Sequence, residues 1–164
     1  MIQYISSNYS KEKAKMNKTI DTAQAAKRSL LRYAAVLVGM CMFLQVFIAV
    51  RGNHIDLLSQ VLLGVVALYY VWYHYRAKTL LSKVRFGRLV AHLVGFLVVN
   101  LSYHIHGYFL LISNSAAIRG DEHFWIDTGW FGVLFAMSMF WGLGLAVHTI
   151  ASIANRGFEE LPKA

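Results

Sequence analysis

The chain has 164 residues, 57% of them hydrophobic and only 15% charged, against about 45–50% apolar and about 25% charged in an ordinary soluble domain. That balance excludes a conventional water-soluble domain, and the length suits one domain built around about four apolar spans of twenty residues. A net charge of +8 would point to nucleic acid in a soluble protein, whereas in a membrane protein the same excess belongs in cytoplasmic segments.

Residues 1–29 form a basic arm, with Lys11, Lys13, Lys15, Lys18, Lys27 and Arg28 among good helix formers. The arm is expected to lie on anionic lipid, to continue the first span as a longer helix, or to stay a solvated tail that only sets topology. Four stretches then carry no Asp, Glu, Lys or Arg: residues 33–50, 57–75, 89–118 and 128–155. Each reaches the roughly 18-residue threshold for a spanning helix. The apolar runs are continuous, without the alternation of a half-buried strand, and the only proline, Pro162, lies beyond them. The expected fold is therefore all-α, an integral membrane four-helix bundle with unbroken spans near residues 31–50, 56–75, 88–112 and 130–154. The first span is too long and too late for a signal peptide, and no small-x-small cleavage pattern follows it.

Basic residues set the orientation. The arm, and the connection bearing Arg76, Lys78, Lys83, Arg85 and Arg88, face the cytoplasm by the positive-inside rule, so both termini are expected there. This divides the chain into the arm, a first hairpin over 30–76, a basic cytoplasmic loop over 77–87, a second hairpin over 88–156 and a cytoplasmic tail over 157–164. The opposite connection, residues 113–129, holds Phe124 and Trp125, with Trp130 just beyond it, and suits a short interfacial helix. The aromatic run over 69–75 reads as an interfacial belt.

Inside the spans the informative residues are polar, because hydrocarbon offers them no water. On the third span Gly95, Phe96, Val99, Tyr103 and His106 lie within about 60° of His92, with Asn100 about 80° away. On the fourth, Trp130, Met137, Trp141, Gly144 and Leu145 share a face with His148. His92 and His148 fall at nearly one depth and are expected to meet, with His74 near enough to join them. His54, His104, His106 and His123 belong to the outer side.

Residues 85–156, with Arg85-Phe86, His92, Asn100, Trp130-Phe131 and Trp141-Gly142-Leu143-Gly144-Leu145 followed by His148, resemble the bacterial two-transmembrane (2TM) domain family. They do so without the proline that the family usually carries ahead of its WG. The resemblance implies two antiparallel spans, a place in the bacterial inner membrane, and the company of signalling proteins such as membrane histidine kinases. It implies no biochemical activity.

Two functions compete. One is a non-enzymatic module that assembles as a homo-oligomer and transmits a signal or forms a pore. Ala35 with Gly39, Gly142 with Ala146, and Gly144 would then allow close helix approach, and His92, Asn100, Trp141 and His148 would form an interhelical network supported by Tyr103. The other is a b-type haem protein ligated by His92 and His148, with His106 on the outer side needing a partner from His54, His104 or His123. No cofactor is expected on the first reading and haem b on the second. Enzyme chemistry is not expected: the chain offers only His104-Ile105-His106 in place of the clusters of a di-iron oxidase, and no span holds a carboxylate. Cys41 is the single cysteine, so a disulfide or a cysteine-based cluster within one chain is excluded. The partners expected are the bilayer, anionic lipid at the arm and further copies of the chain, with no nucleic acid.

Overall fold

The computed structural model describes residues 2–121 and 125–155. Four helices long and apolar enough to cross a membrane follow one another: α1 (Ile2–Val50), α2 (Leu57–Leu81), α3 (Gly87–Ile112) and α4 (Thr128–Ala154). No strand forms among the described residues; Arg119 and Ile126 make an isolated antiparallel bridge.

α1 is continuous for 49 residues, about 73 Å at 1.5 Å per residue. A hydrocarbon core of about 30 Å takes up less than half of that, so of the forms expected for the arm the longer helix is the one seen. α2 runs past the expected end near residue 75 to Leu81. Ala77 and Leu81 are good helix formers, and both are buried in one core cluster with Ala26 of α1. The basic loop expected over 77–87 thereby shrinks to residues 82–86. It closes with Phe86 in the left-handed region at φ 58° and with Gly87, where a Cβ would collide with the Leu81 carbonyl.

The fourth span is not the regular helix expected. It turns π-helical over Gly132–Ala136, with the Met137 N–H donating to the Gly132 carbonyl. The wider turn lets the adjacent Val133 and Leu134 both be buried, and Leu134 sits over Gly107 of α3. Among its described residues the preceding connection holds a 3-10 turn at Ala116–Ile118. Trp125 is 97% exposed while Trp130 is fully buried. Phe124 and His123 lie outside the described residues, as does the tail from residue 156.

α3 is the central element, packed against α1, α2 and α4, while α1 also lies along α2. Core positions recur at steps of three and four, as in Tyr33, Leu37, Cys41, Leu44 and Ile48 of α1 and Ala91, Gly95, Val99 and Tyr103 of α3. Only 17–28% of the most apolar window of each helix is buried. The remaining apolar surface faces outward on every side, which suits lipid and not water. The end bearing residues 82–86 is called the basic end below; residues 51–56, 113–121 and 125–127 lie at the opposite end.

Candidate functional site

Near the basic end α2, α3 and α4 bring three histidines together. The His92 ring of α3 stacks on His74 of α2, with centroids 3.9 Å apart and planes 7° from parallel. His148 of α4 meets His92 edge-on at 4.5 Å and 69°. The expected encounter of His92 with His148 therefore occurs, and His74 joins it. The Tyr70 hydroxyl lies 2.5 Å from His92 Nδ1, and Trp141 stands edge-on to Tyr70 at 5.1 Å and to Phe96 at 6.0 Å. Arg88, in the first turn of α3, brings its charge within electrostatic reach of all three imidazoles.

Gly95 makes this convergence possible. A Cβ there would stand 2.5 Å from the Tyr33 hydroxyl and 2.8 Å from the Tyr70 ring, so any other residue must push these two side chains aside. Tyr33 in turn stacks on Tyr73 at 4.0 Å and 10°, and the Tyr73 hydroxyl meets Ser29 Oγ at 3.2 Å. Among the described residues the Tyr33 hydroxyl and His74 Nε2 are buried with no hydrogen-bond partner.

The junction consists of stacked faces and edges, not of nitrogens aimed at one point. Among the described residues no group of three or more His, Cys, Asp or Glu side chains is placed to hold a metal ion. As placed here, the His92 and His148 rings stand closer together than two imidazoles ligating one haem iron. Two metal–imidazole bonds of about 2 Å each, plus the ring radii, take ligating centroids past about 6 Å, whereas these two rings touch at 4.5 Å.

The rest of the expected network divides differently. Asn100 does not join the histidines: its Oδ1 accepts from Ser138 Oγ at 2.6 Å, and its Nδ2 donates to the Phe96 carbonyl at 2.8 Å. Asn100 thus ties α3 to α4 one level away. Gly144 is exposed and does not line the junction; a Cβ there would meet nothing within 4 Å. Tyr103 is buried edge-on to Trp130 at 6.4 Å.

His106 serves a second network toward the opposite end. Its Nδ1 lies 2.8 Å from Gln45 Oε1 and its Nε2 2.9 Å from Asn53 Oδ1, while Trp130 Nε1 donates to the Asn53 carbonyl at 2.8 Å. These bonds lock the far end of α1 onto α3 and α4. His104 is exposed and its Nδ1 bonds only the Asn100 carbonyl of its own helix, at 2.8 Å. Asp56 caps α2, accepting from the Ser59 backbone N–H at 2.8 Å and from Arg51 at 2.9 Å. These bonds, the Ser59 one foremost, hold its carboxyl below the usual range.

Tyr33, Tyr70 and Tyr73 are the site residues that sequence reasoning missed. Trp72 and Tyr75 of the aromatic run are exposed, as a belt requires, but Tyr73 is buried and Tyr70 half-buried. The signal was their spacing: Val66, Tyr70, Tyr73 and Ala77 follow one another at helical steps on one face. No family model matches the chain, and no curated protein or solved structure matches it.

Proposed function

We propose that this chain is a non-enzymatic, multi-pass protein of the bacterial inner membrane that assembles with copies of itself through α4 and works as a signalling or interaction module. Both termini are cytoplasmic in this reading. The cations of the arm and of residues 76–88 gather at one end, whereas at the other Arg51 is paired with Asp56 at 2.9 Å. The resemblance of residues 85–156 to the 2TM family supports the same setting.

The outer face of α4 carries the assembly reading. Gly144 leaves open space where a side chain would stand, and Phe140, Val147 and Ala151, within about 60° of it, are all exposed. A glycine flanked by larger apolar residues on a lipid-facing surface makes a hole for a neighbouring helix and lets the two backbones approach. The histidines support a non-enzymatic role, since their rings are engaged with one another and with Tyr70.

Light scattering of the full chain in nanodiscs tests this. The wild type is expected as a dimer or larger, and Gly144→Leu, which fills the hole, is expected to shift toward monomer with unchanged thermal unfolding. A monomeric wild type, or a variant that assembles as before, would overturn the reading. Single-channel conductance of the oligomer separates this module from the pore also expected from the sequence: current assigns a pore, and its absence assigns a packing-based module.

A further inference from the structure

α1 and α2 leave a groove between them on their outward side. Near the basic end it has a volume of about 560 Å³, and three arginines line it: Arg28 and Arg32, one turn apart on α1, and Arg76 on α2. All three are exposed, and among the described residues no carboxylate forms an ion pair with them. The arm before them is lysine-rich, so the change to arginine at the groove matters: a guanidinium presents a planar fork that matches phosphate oxygens in pairs, which an ammonium cannot do.

Beside the arginines the lining is aromatic, from Tyr69, Trp72 and Tyr73. Val36 then passes the groove on to a second recess of about 410 Å³, lined only by apolar residues such as Gly39, Phe43, Leu62 and Val65. Gly39 keeps it open, since a Cβ there would meet nothing within 4 Å. From Arg32 to Phe43 the helix rises about 16 Å, close to the depth of one leaflet of a core about 30 Å thick. Cations at the surface, aromatic rings at the interface and an apolar trough one leaflet deep follow the layout of a phospholipid.

We infer that the α1–α2 groove binds one anionic glycerophospholipid, with its phosphate on Arg28, Arg32 and Arg76 and an acyl chain laid over Gly39 toward Phe43. This rests on the proposed placement of the basic end at a leaflet surface. A second copy of the chain is a poorer occupant, because its net charge of +8 repels the arginines on balance, whereas an anionic headgroup attracts them.

The test titrates the purified full chain in neutral detergent with phosphatidylglycerol or with phosphatidylcholine of the same acyl chains, counting bound lipid by native mass spectrometry. Phosphatidylglycerol is expected to bind at least about tenfold tighter. Arg32→Gln should weaken it about fivefold, and replacing all three arginines by Gln should abolish the preference. Gly39→Phe, which fills the trough and leaves the arginines in place, should weaken both lipids. Lys83→Gln, a cation outside the groove, should change nothing. Millimolar inorganic phosphate should fail to displace the lipid. Equal binding of the two lipids, full preference in the triple variant, undiminished binding by Gly39→Phe, or displacement by phosphate would each overturn the assignment. So would a Gly39→Phe variant that splits a dimer, since that makes a second copy the occupant. Orientation plays no part in detergent, so the placement is tested separately, by protease protection of the arm in sealed vesicles.

Discussion

Replacing Gly95 by alanine tests whether the histidine junction depends on close backbone approach. The new Cβ would stand 2.5 Å from the Tyr33 hydroxyl and 2.8 Å from the Tyr70 ring, where relaxed contacts are about 3.5–4.0 Å, so each ring must retreat by roughly 1 Å. Neither is free to do so. Tyr33 is stacked on Tyr73 at 4.0 Å, and Tyr70 is held by His92 at 2.5 Å with Trp141 edge-on at 5.1 Å. Overpacking of this kind costs about 1–3 kcal/mol. Tyr33→Phe separates the two contacts. It removes a buried hydroxyl that has no partner among the described residues, so alone it should be neutral or stabilise by up to about 1 kcal/mol. In that background Gly95→Ala should cost about 0.5–1.5 kcal/mol less than in the wild type, and what remains belongs to the Tyr70 ring. Reversible unfolding in mixed micelles, titrated with denaturing detergent and followed by tryptophan fluorescence, measures all four corners of the cycle. Strictly additive costs, or a Tyr33→Phe variant destabilised by more than about 1 kcal/mol, would refute the reasoning.

His74→Phe keeps a ring on His92 and removes both imidazole nitrogens, of which the buried Nε2 has no hydrogen-bond partner among the described residues, so its unfolding should match the wild type within about 0.5 kcal/mol. His92→Phe loses the Tyr70 hydrogen bond and should cost about 0.6–2 kcal/mol in the same assay. After haem-replete expression the purified protein should show no Soret band; a band lost in His92→Ala would sink the packing account of the histidines. Asp56 has a folded pKa below its unfolded value, so its contribution is present above the unfolded carboxylate range and is lost as pH falls through the folded value. The wild type should therefore lose stability relative to Asp56→Asn, which keeps a cap without the titration, as pH drops below about 4. Parallel melting curves across that window would count against the cap.

Spans, their number and the end at which the cations gather were legible in the sequence, because long runs without Asp, Glu, Lys or Arg have few uses outside a bilayer. The meeting of His92 with His148 was legible for a similar reason: polar residues in hydrocarbon seek one another, and helical arithmetic placed these two at one depth. What hydropathy could not do was tell the inner face of each helix from the outer. In water the two faces differ in polarity, whereas in lipid both are apolar, and the periodic signal that marks a core is lost. Gly95 and Gly144 both sat on histidine faces in the sequence, yet one is pressed between Tyr33 and Tyr70 and the other opens outward. Tyr70 and Tyr73 looked like neighbours of Trp72 and Tyr75 in a belt, and only the packing of α2 on α1 and α3 separated them. The arginine groove required Arg28 and Arg76 to face one recess across two helices, a juxtaposition of residues nearly fifty positions apart. Tertiary structure alone decides that, through the tilt and spacing of helices whose small and aromatic side chains set how closely they approach.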